Sequence, residues 1–259
     1  MRAFLRDPTI AVSGSTTTFS IILTTQKTIV TSPDLKLHQT VRRYLDLPKF
    51  LDLLRSRSLY LHRVDGFTDR FEGALTPVIR AGLEKAHREG KISYDADEFY
   101  RRARKSSFVS CWNLDVKENM ALWQLYGRGP NSVVVTSTVD KMLAAAFRWN
   151  DVVLLHKVLY IDHCENPDMV IGAGTDLLRF KHEAYQFENE MRMIVSRPKT
   201  WTSNPTGINL PLDDLNEVIC SVVVAPEAES WFFELVVDVT QKYGVSSPVI
   251  RSKLTDLPR

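Results

Sequence analysis

An acidic pair followed by an apolar run stands in the stretch Tyr185-Gln186-Phe187-Glu188-Asn189-Glu190-Met191-Arg192-Met193-Ile194-Val195. The run is rich in residues that favour β-structure, so it predicts a buried strand. Because side chains alternate along a strand, Glu188, Glu190 and Arg192 are expected on one face. Charged groups are costly to bury unless their face meets water or a substrate. The stretch therefore indicates either a substrate-facing acidic pair or a solvated edge strand on which Glu188 and Arg192 are partners.

The overall composition is that of an ordinary globular protein. The chain has 259 residues, of which 44% are hydrophobic and 25% charged, so it has enough apolar residues for a substantial core. Its net charge of +2, from 33 basic and 31 acidic residues, gives no global basic field. Any contact with nucleic acid therefore requires a local patch.

Cysteine usage and hydropathy predict a cytoplasmic protein. Cys111, Cys164 and Cys220 are odd in number, lie far apart and form no C-x-x-C pair, which favours reduced thiols. The sequence contains no run of about 18 apolar residues, so it predicts no membrane-spanning helix. The charged first residues are followed by no apolar segment of the kind found in a secretory signal.

The order of predicted elements indicates an α+β fold. Residues 1–35 are rich in Ser and Thr and predict an N-terminal arm, loosely ordered or contributing one strand near residues 19–23. Residues 36–259 predict a single domain. Asp46 caps one predicted helix and Thr76 caps another. Because strands and helices do not alternate regularly, α+β is favoured over a doubly wound parallel sheet.

Metal motifs are weak in this sequence. The six histidines show neither H-x-x-x-H nor H-E-x-x-H spacing, so no structural zinc is expected. A Mg²⁺ ion held by Asp69, Glu72, Glu188 or Glu190 is the alternative, since carboxylate clusters of that type support nucleases. That alternative would make the protein a metal-dependent nuclease, whereas the main interpretation below expects no metal.

Several further residues have both a structural and a functional interpretation. Thr136 and Ser137 end a predicted strand, and Ser137 also suits a capping box for the next helix. Trp123 and Tyr126 lie at helical spacing with Leu122, which favours core packing. A basic cluster marks either a solvated helix face or a contact with RNA, DNA or an acidic partner; its members are Arg101, Arg102, Arg104 and Lys105.

The order of three short segments resembles the R-S-E arrangement of arginine-type ADP-ribosyltransferases. In that family a first strand supplies an arginine, a second carries Ser-Thr-Ser, and a third begins Glu-x-Glu before alternating apolar residues. The matching positions here are Arg43 or its neighbour Arg42, then residues 136–138, then residues 188–190. The resemblance implies two small, packed, mostly antiparallel sheets with flanking helices, and NAD⁺ as the substrate.

Most of the chain, about residues 39–254, separately resembles the bacterial domain-of-unknown-function family 2971. That resemblance indicates a family but implies no activity. It is carried by residues 67–73 (Phe-Thr-Asp-Arg-Phe-Glu-Gly), 110–112, 122–126, 187–192 and 224–226, with Tyr243 and Gly244 near the C-terminal end.

The transferase resemblance implies a role for each matched residue. Glu190 would stabilise the positive charge that develops on the ribose as NAD⁺ is cleaved, and Glu188 would orient or deprotonate the acceptor. An arginine would hold the diphosphate in a bidentate contact. Thr136 and Ser137 would bond the nicotinamide ribose or fix Glu190. An aromatic ring would stack on nicotinamide, and the candidates are Tyr44, Trp123 and Tyr126.

The predicted function is therefore ADP-ribosyl transfer to a protein or nucleic acid by a bacterial toxin or phage-defence effector. An antitoxin protein is a further expected partner in such a system. Three alternatives remain open at this point: a metal-dependent nuclease, a simple NAD⁺ hydrolase, and a non-catalytic interaction module of a toxin–antitoxin or defence system.

Overall fold

The computed structural model describes residues 20–24, 27–69, 71–115, 117–165, 169–198 and 205–255. Most of the predicted N-terminal arm, residues 1–19, lies outside this part of the chain. The described remainder of that segment forms a hairpin that joins the edge of the main sheet by parallel pairing with a later strand.

Strands and helices follow one another irregularly along the described chain. The strands are β1 (Ser20–Thr24), β2 (Lys27–Thr31), β3 (Thr40–Asp46), β4 (Ser58–Arg63), β5 (Ser107–Asn113), β6 (Ser132–Thr138), β7 (Val153–Lys157), β8 (Leu159–Ile161), β9 (Phe180–His182), β10 (Glu190–Ser196), β11 (Gly207–Pro211), β12 (Ser221–Val224) and β13 (Val249–Arg251). The helices are α1 (Leu47–Ser56), α2 (Pro77–Arg88), α3 (Ala96–Ser106), α4 (Met120–Leu122), α5 (Val139–Ala146), α6 (Leu215–Val218) and α7 (Ser230–Lys242).

The strands form two sheets, one of eleven strands and one of two. The large sheet runs β1-β2-β7-β10-β5-β3-β6-β12-β13, and β4 joins it by pairing with both β5 and β11. The small sheet is the parallel pair β8–β9. Eight of the eleven described strand pairings are antiparallel. The mixture of helices with a mostly antiparallel sheet confirms the α+β prediction.

The large sheet branches at β5. At one end of this strand Asn113 pairs with Arg42 of β3, and nearer its start Val109 pairs with His62 of β4. Both branches contribute to one hydrophobic core, which includes Val41 of β3 and Leu61 of β4. The branch point therefore brings the end of β5 next to β3 and β10 at the same time.

Helix α1 illustrates how local sequence and packing agree. The Asp46 carboxylate accepts a hydrogen bond from the Lys49 amide at 2.9 Å and caps the helix. Phe50 and Leu54 are fully buried on its inner face. Each such side chain contributes about 1.5–3 kcal/mol of hydrophobic stabilisation. The helix ends at Arg57, which takes a left-handed conformation.

One row of residues crosses four adjacent strands of the large sheet. Glu190 of β10 pairs with Asn113 of β5, Asn113 with Arg42 of β3, and Arg42 with Thr136 of β6. Directly paired residues project from the same face of a sheet. With about 4.8 Å between neighbouring strands, the row spans about 14 Å from Glu190 to Thr136. The acid, the guanidinium and the hydroxyl of the predicted site thus lie on one face.

Among the described helices, none combines the length and the apolar composition needed to cross a bilayer.

Candidate active site

The acidic pair lies where a helical turn meets β10. This strand begins at Glu190, whereas Glu188 ends a 3₁₀ turn over residues 183–188. Asn189 between them is left-handed, with φ of 37°, a conformation that asparagine tolerates better than most residues. The prediction that Glu188 lies on the strand is therefore wrong. The turn nevertheless brings the two carboxylates together, because both contact the same ammonium group.

Glu190 is held in its ionised form. Its Oε2 accepts hydrogen bonds from Arg192 at 3.0 Å and from Lys181 at 3.5 Å. Burial acts to raise the pKa of Glu190, but the charges of Arg192 and Lys181 outweigh it and bring the pKa to about 2. Its backbone N–H donates to the Tyr160 hydroxyl at 2.9 Å. The strand end is thereby fixed as well as the side chain.

The pKa of Glu188 is shifted in the opposite direction. Burial raises its pKa above the ordinary value, and the Glu190 charge adds to this, while Lys181 opposes it. The Tyr126 hydroxyl donates to Oε1 at 2.6 Å, and Lys181 forms an ion pair with Oε2. Two neighbouring carboxylates whose pKa values are pushed apart suit one fixed charge and one proton acceptor.

A third carboxylate completes the buried charge cluster. Arg192 donates to both oxygens of Glu72, with Nη2 to Oε2 at 2.9 Å, and to the Leu178 carbonyl at 2.9 Å. Arg192 is 1% exposed and Glu72 is 3% exposed. Three carboxylates and two cations, Lys181 and Arg192, leave a formal charge of −1. The cluster is therefore electronegative where an electron-poor group would be stabilised.

The acidic pair is covered, but an open depression lies beside it. Glu188 and Glu190 are 5% and 4% exposed, while Tyr126, which covers Glu188, is 43% exposed. The depression has a volume of about 540 Å³. Asn119 on its wall donates to the Phe187 carbonyl at 3.3 Å, so it adjoins the turn that carries Glu188. It is lined by Asp115, Lys117, Glu118, Asn119 and Met120.

Arg42 links the row across the sheet to this depression. Its guanidinium donates to the Asp115 carbonyl at 2.9 Å. The Asp115 carboxylate in turn accepts from the Asn189 side chain at 2.7 Å. Thr136 is mostly buried, and its hydroxyl lies 2.7 Å from that of Ser221. Arg42 is thus the predicted diphosphate ligand that reaches the rim.

Two predicted site residues lie on the opposite face of the sheet. Arg43 donates to the Tyr60 carbonyl at 3.1 Å and lies 5.8 Å from the Trp112 ring centre, and burial lowers its pKa. Ser137 is fully buried, and its hydroxyl makes no hydrogen bond within the described part of the chain. Strand alternation sends both away from Glu190. Of the predicted candidates, Arg42 and Thr136 therefore share the face of Glu190, whereas Arg43 and Ser137 do not.

The three predicted aromatic residues divide between packing and exposure. Tyr44 and Trp123 are buried and pack edge-to-face, with ring centres 5.1 Å apart. The Tyr44 hydroxyl accepts from the Asn119 amide at 3.1 Å, and the Trp123 indole N–H donates to Glu118 at 3.1 Å. Tyr126 alone of the three is exposed. Of these rings, it is the one placed to meet a ligand.

Tyr126 owes its position to an irregular turn. The predicted α-helix stops after α4, and residues 123–127 form a π-helical turn. The wider turn rotates Tyr126 out of the buried side that it would share with Leu122 in an α-helix. Such turns occur frequently at functional sites.

The basic cluster on α3 is largely engaged within the protein. Arg101 and Arg102 both pair with Glu98. Arg104 donates to the Tyr100 hydroxyl and to the Val64 carbonyl. Lys105 is partly buried on the same helix. These contacts fit the solvated-face interpretation better than a dedicated nucleic-acid surface.

The carboxylates named for a Mg²⁺ site are already engaged by other groups. Glu72 accepts hydrogen bonds from Arg192, and Glu188 forms an ion pair with Lys181. Asp69 accepts a hydrogen bond from the Phe71 amide at 2.9 Å. Within the described ranges, no three His, Cys, Asp or Glu side chains converge as a metal would need.

Lys181, Tyr160 and Asn113 belong to the site, and sequence reasoning missed them. Lys181 lies in the three-residue strand β9, where no pattern distinguishes a buried lysine from an exposed one. Asn113 donates to the Glu188 carbonyl at 2.6 Å and to Asp115 at 3.0 Å. Its place at the end of the Ser110-Cys111-Trp112 motif was the only available signal.

The fold and site define an α+β protein with a buried acidic pair at the branch of its sheet. No protein-family profile matches the chain, and no curated protein sequence does. Among solved structures, it is similar to complexes of DarT from Thermus sp. 2.9. The complex with NAD⁺ has a TM-score of 0.40 at 10% identity, over 86% of this chain and 100% of that one. The complex with ADP-ribosylated ssDNA has a TM-score of 0.39 at 10% identity, over 85% and 96%. Likeness at this level carries no activity over to this chain.

Proposed function

We propose that the chain is an NAD⁺-dependent ADP-ribosyltransferase that modifies a macromolecule and is built on an ADP-ribosyltransferase-like fold. The observation that carries the proposal is the row Glu190–Asn113–Arg42–Thr136 on one sheet face. The three segments matched to the R-S-E arrangement are distant in sequence, yet they meet in this row.

Glu190 supplies the charge that the reaction needs. When the bond between nicotinamide and ribose breaks, nicotinamide leaves with the electron pair and the ribose becomes oxocarbenium-like. A carboxylate that is ionised at neutral pH stabilises this charge, which exists only near the transition state. The low pKa of Glu190 and the formal charge of −1 on the cluster fit that task.

Glu188 accepts the proton of the acceptor group. The acceptor's oxygen or nitrogen bonds to the ribose carbon, and its proton passes to the carboxylate. A raised pKa makes Glu188 the better base of the pair. Tyr126 occupies Oε1 of Glu188, so the acceptor would displace this hydroxyl.

Arg42 and Tyr126 would position the dinucleotide. The Arg42 guanidinium donates to Asp115, a residue that lines the depression, and a guanidinium suits bidentate bonding to a diphosphate. Tyr126 presents a ring for stacking on nicotinamide. Thr136 lies on the next strand beyond Arg42, and its hydroxyl would contact the dinucleotide at the end of the row opposite Glu190.

The biological setting is also a proposal. The resemblance to the R-S-E enzymes favours a bacterial toxin or phage-defence effector, countered by an antitoxin protein and carrying the domain of family 2971. The three cysteines are unpaired, which fits the reducing cytoplasm.

The experiment is incubation with labelled NAD⁺ and separate pools of protein, RNA and DNA. Label on one pool supports the transferase and names the acceptor class. Release of free ADP-ribose alone would identify an NAD⁺ hydrolase. Cleavage of nucleic acid that needs Mg²⁺ and ignores NAD⁺ would replace the proposal with a nuclease.

Burial favours a second candidate, a non-catalytic interaction module. The charged cluster is at most 6% exposed at Glu72, Lys181, Glu188, Glu190 and Arg192, as in a structural ion network. Calorimetric titration separates the two: the module shows no heat of NAD⁺ binding, whereas the transferase binds NAD⁺ and loses affinity when Arg42 is replaced.

A further inference from the structure

The small sheet β8–β9 delivers two groups to the acidic pair. Tyr160 of β8 and Lys181 of β9 are direct partners in its parallel register. The Tyr160 hydroxyl accepts a hydrogen bond from the backbone N–H of Glu190, and the Lys181 ammonium contacts the carboxylates of Glu188 and Glu190. Strand β8 follows β7 after one residue, and the Val158 N–H donates to the Glu190 carbonyl at 2.8 Å, so the small sheet is held beside the start of β10 by backbone as well as side-chain contacts.

We propose that Lys181 is a positioning residue of the transferase, whose ammonium group holds Glu188 and Glu190 side by side and sets the protonation of Glu188. The inference rests on the proposed function and deepens it. Lys181 acts through the two carboxylates rather than on NAD⁺ itself.

The burial of Lys181 indicates that its charge is needed by the neighbouring carboxylates. It is 6% exposed, and lysine is almost never buried this deeply unless it is paired. Its ammonium also lies 4.8 Å from the centre of the Tyr185 ring, a favourable cation–π distance. The ion pairs and the ring contact described for its ammonium group are all with the turn 183–188 and the start of β10.

A lysine suits this place better than an arginine. An ammonium is a compact point charge whose three donors can serve two carboxylates at once, whereas a guanidinium favours a planar pair with one. Arg192 shows this planar preference in its two-oxygen contact with Glu72, to which it adds one bond to Glu190. Lys181 instead divides its donors between Glu188 and Glu190.

Removing the ammonium would change the charge balance around Glu188. Glu72, Glu188 and Glu190 would then face Arg192 alone, giving −2 in place of −1. The cluster would lower this charge by taking up a proton, and Glu188 would be the acceptor. The other titratable groups facing Glu188 are Tyr126 of the π-helical turn, Tyr160 of β8 and Tyr185 of its own turn, and Cys111 of β5 faces Glu190.

The test compares Lys181→Met, Lys181→Arg and the control Lys242→Met, which removes an exposed lysine of α7. Rates of label transfer from NAD⁺ are measured against pH. For Lys181→Met we expect the acid limb to move up by about one pH unit or more and kcat at neutral pH to fall about tenfold or more, with KM for NAD⁺ within about threefold. Lys181→Arg should recover part of both losses, and Lys242→Met should match the wild type.

A second readout needs no NAD⁺. Carboxyl NMR with ¹³C-labelled glutamate, assigned through Glu188→Gln, follows the titration of Glu188 directly. A higher titration midpoint in Lys181→Met supports the inference even if the wild type proves inert toward NAD⁺, which would sink only the proposed function. An unmoved midpoint, or an unmoved acid limb in an active enzyme, overturns the inference.

Misfolding of Lys181→Met would not end the test. If Lys181 neutralises Glu188, the double variant Glu188→Gln/Lys181→Met should be closer to Glu188→Gln in stability than Lys181→Met is to the wild type. Equal losses in both backgrounds would show that Lys181 does not act through Glu188.

Discussion

Arg42 and Arg43 are neighbours in the chain and end on opposite faces of β3. Arg42 donates to the carbonyl of Asp115, which lines the depression, whereas Arg43 donates to the Tyr60 carbonyl of β4. Sequence order indicated that an arginine belongs here but left the choice between the two open. The register of β3 against β6 places Arg42 on the face of Glu190 and thereby favours it, and register depends on partners distant in the chain.

Replacing each arginine should separate binding from stability. We expect Arg42→Met to weaken NAD⁺ binding about tenfold to a hundredfold, since hydrogen bonds to a charged group contribute about 1.5–3 kcal/mol. Arg43→Met should lower the melting temperature and leave affinity within about threefold. Calorimetry and thermal unfolding measure the two effects. Equal loss of affinity in both variants would contradict the assignment.

Glu188 should give the transfer reaction an acid limb. Burial raises its pKa above the ordinary 4.5, and the base form is the deprotonated one, so activity should fall as pH drops through a value above 4.5. Rates measured on the wild type and on Glu188→Gln test this. The variant should transfer label much more slowly, and its residual rate should lack the limb. A limb that persists in the variant belongs to another group.

At the scale of the element, the sequence predicts regular structure well and irregular turns badly. Helices α1 and α2 begin at the caps that their sequences indicate, Asp46 and Thr76. The π-helical turn at 123–127 and the 3₁₀ turn at 183–188 were missed. Both are held by tertiary bonds, such as that between Tyr126 and Glu188, which no local pattern encodes.

The attachment of the N-terminal segment to β7 should be sensitive to acid. His156 of β7 is buried and lies 3.1 Å from the Ser32 hydroxyl, and burial, with the Arg179 charge, lowers its pKa to about 4. Because the folded pKa lies below the ordinary 6.5, the stabilisation is complete above 6.5 and is lost as pH falls through 4.

Urea unfolding near pH 7.5 and pH 5 measures this effect. From the pKa difference we expect His156 to account for a loss of about 2 kcal/mol across that interval. His156→Gln should lose less on acidification than the wild type, while His38→Gln, at an exposed histidine, should behave as the wild type does. Identical acid losses in His156→Gln and the wild type would refute the assignment.

At the scale of the whole molecule, the buried charge cluster ties separate parts of the chain together. Glu72 comes from the segment before α2, Lys181 from the small sheet, and Arg192 from the large sheet. The sequence showed the members Glu72, Glu188 and Glu190 as candidates. Their convergence on two cations depends on how the sheet branches, which pattern and propensity do not determine.

Replacing Arg192 of the cluster should lower the free energy of unfolding. Arg192→Met leaves Glu72 and Glu190 buried beside an apolar side chain, and loss of one partner from a buried pair costs about 3–5 kcal/mol. Urea unfolding measures the change. Arg148→Met, which removes two exposed ion pairs, with Asp213 and Glu217, is the matched control and should change little. A small effect of Arg192→Met would show that the cluster adds little to stability.

The most direct test of the account is NAD⁺ turnover by Glu190→Gln compared with the wild type and with Glu234→Gln, an exposed control on α7. The side chain keeps its shape and loses the charge proposed to stabilise the ribose cation. We expect turnover to fall about a hundredfold or more, roughly 3 kcal/mol in the activation barrier, with unfolding still cooperative. A folded Glu190→Gln variant that turns over NAD⁺ at the wild-type rate would contradict the account.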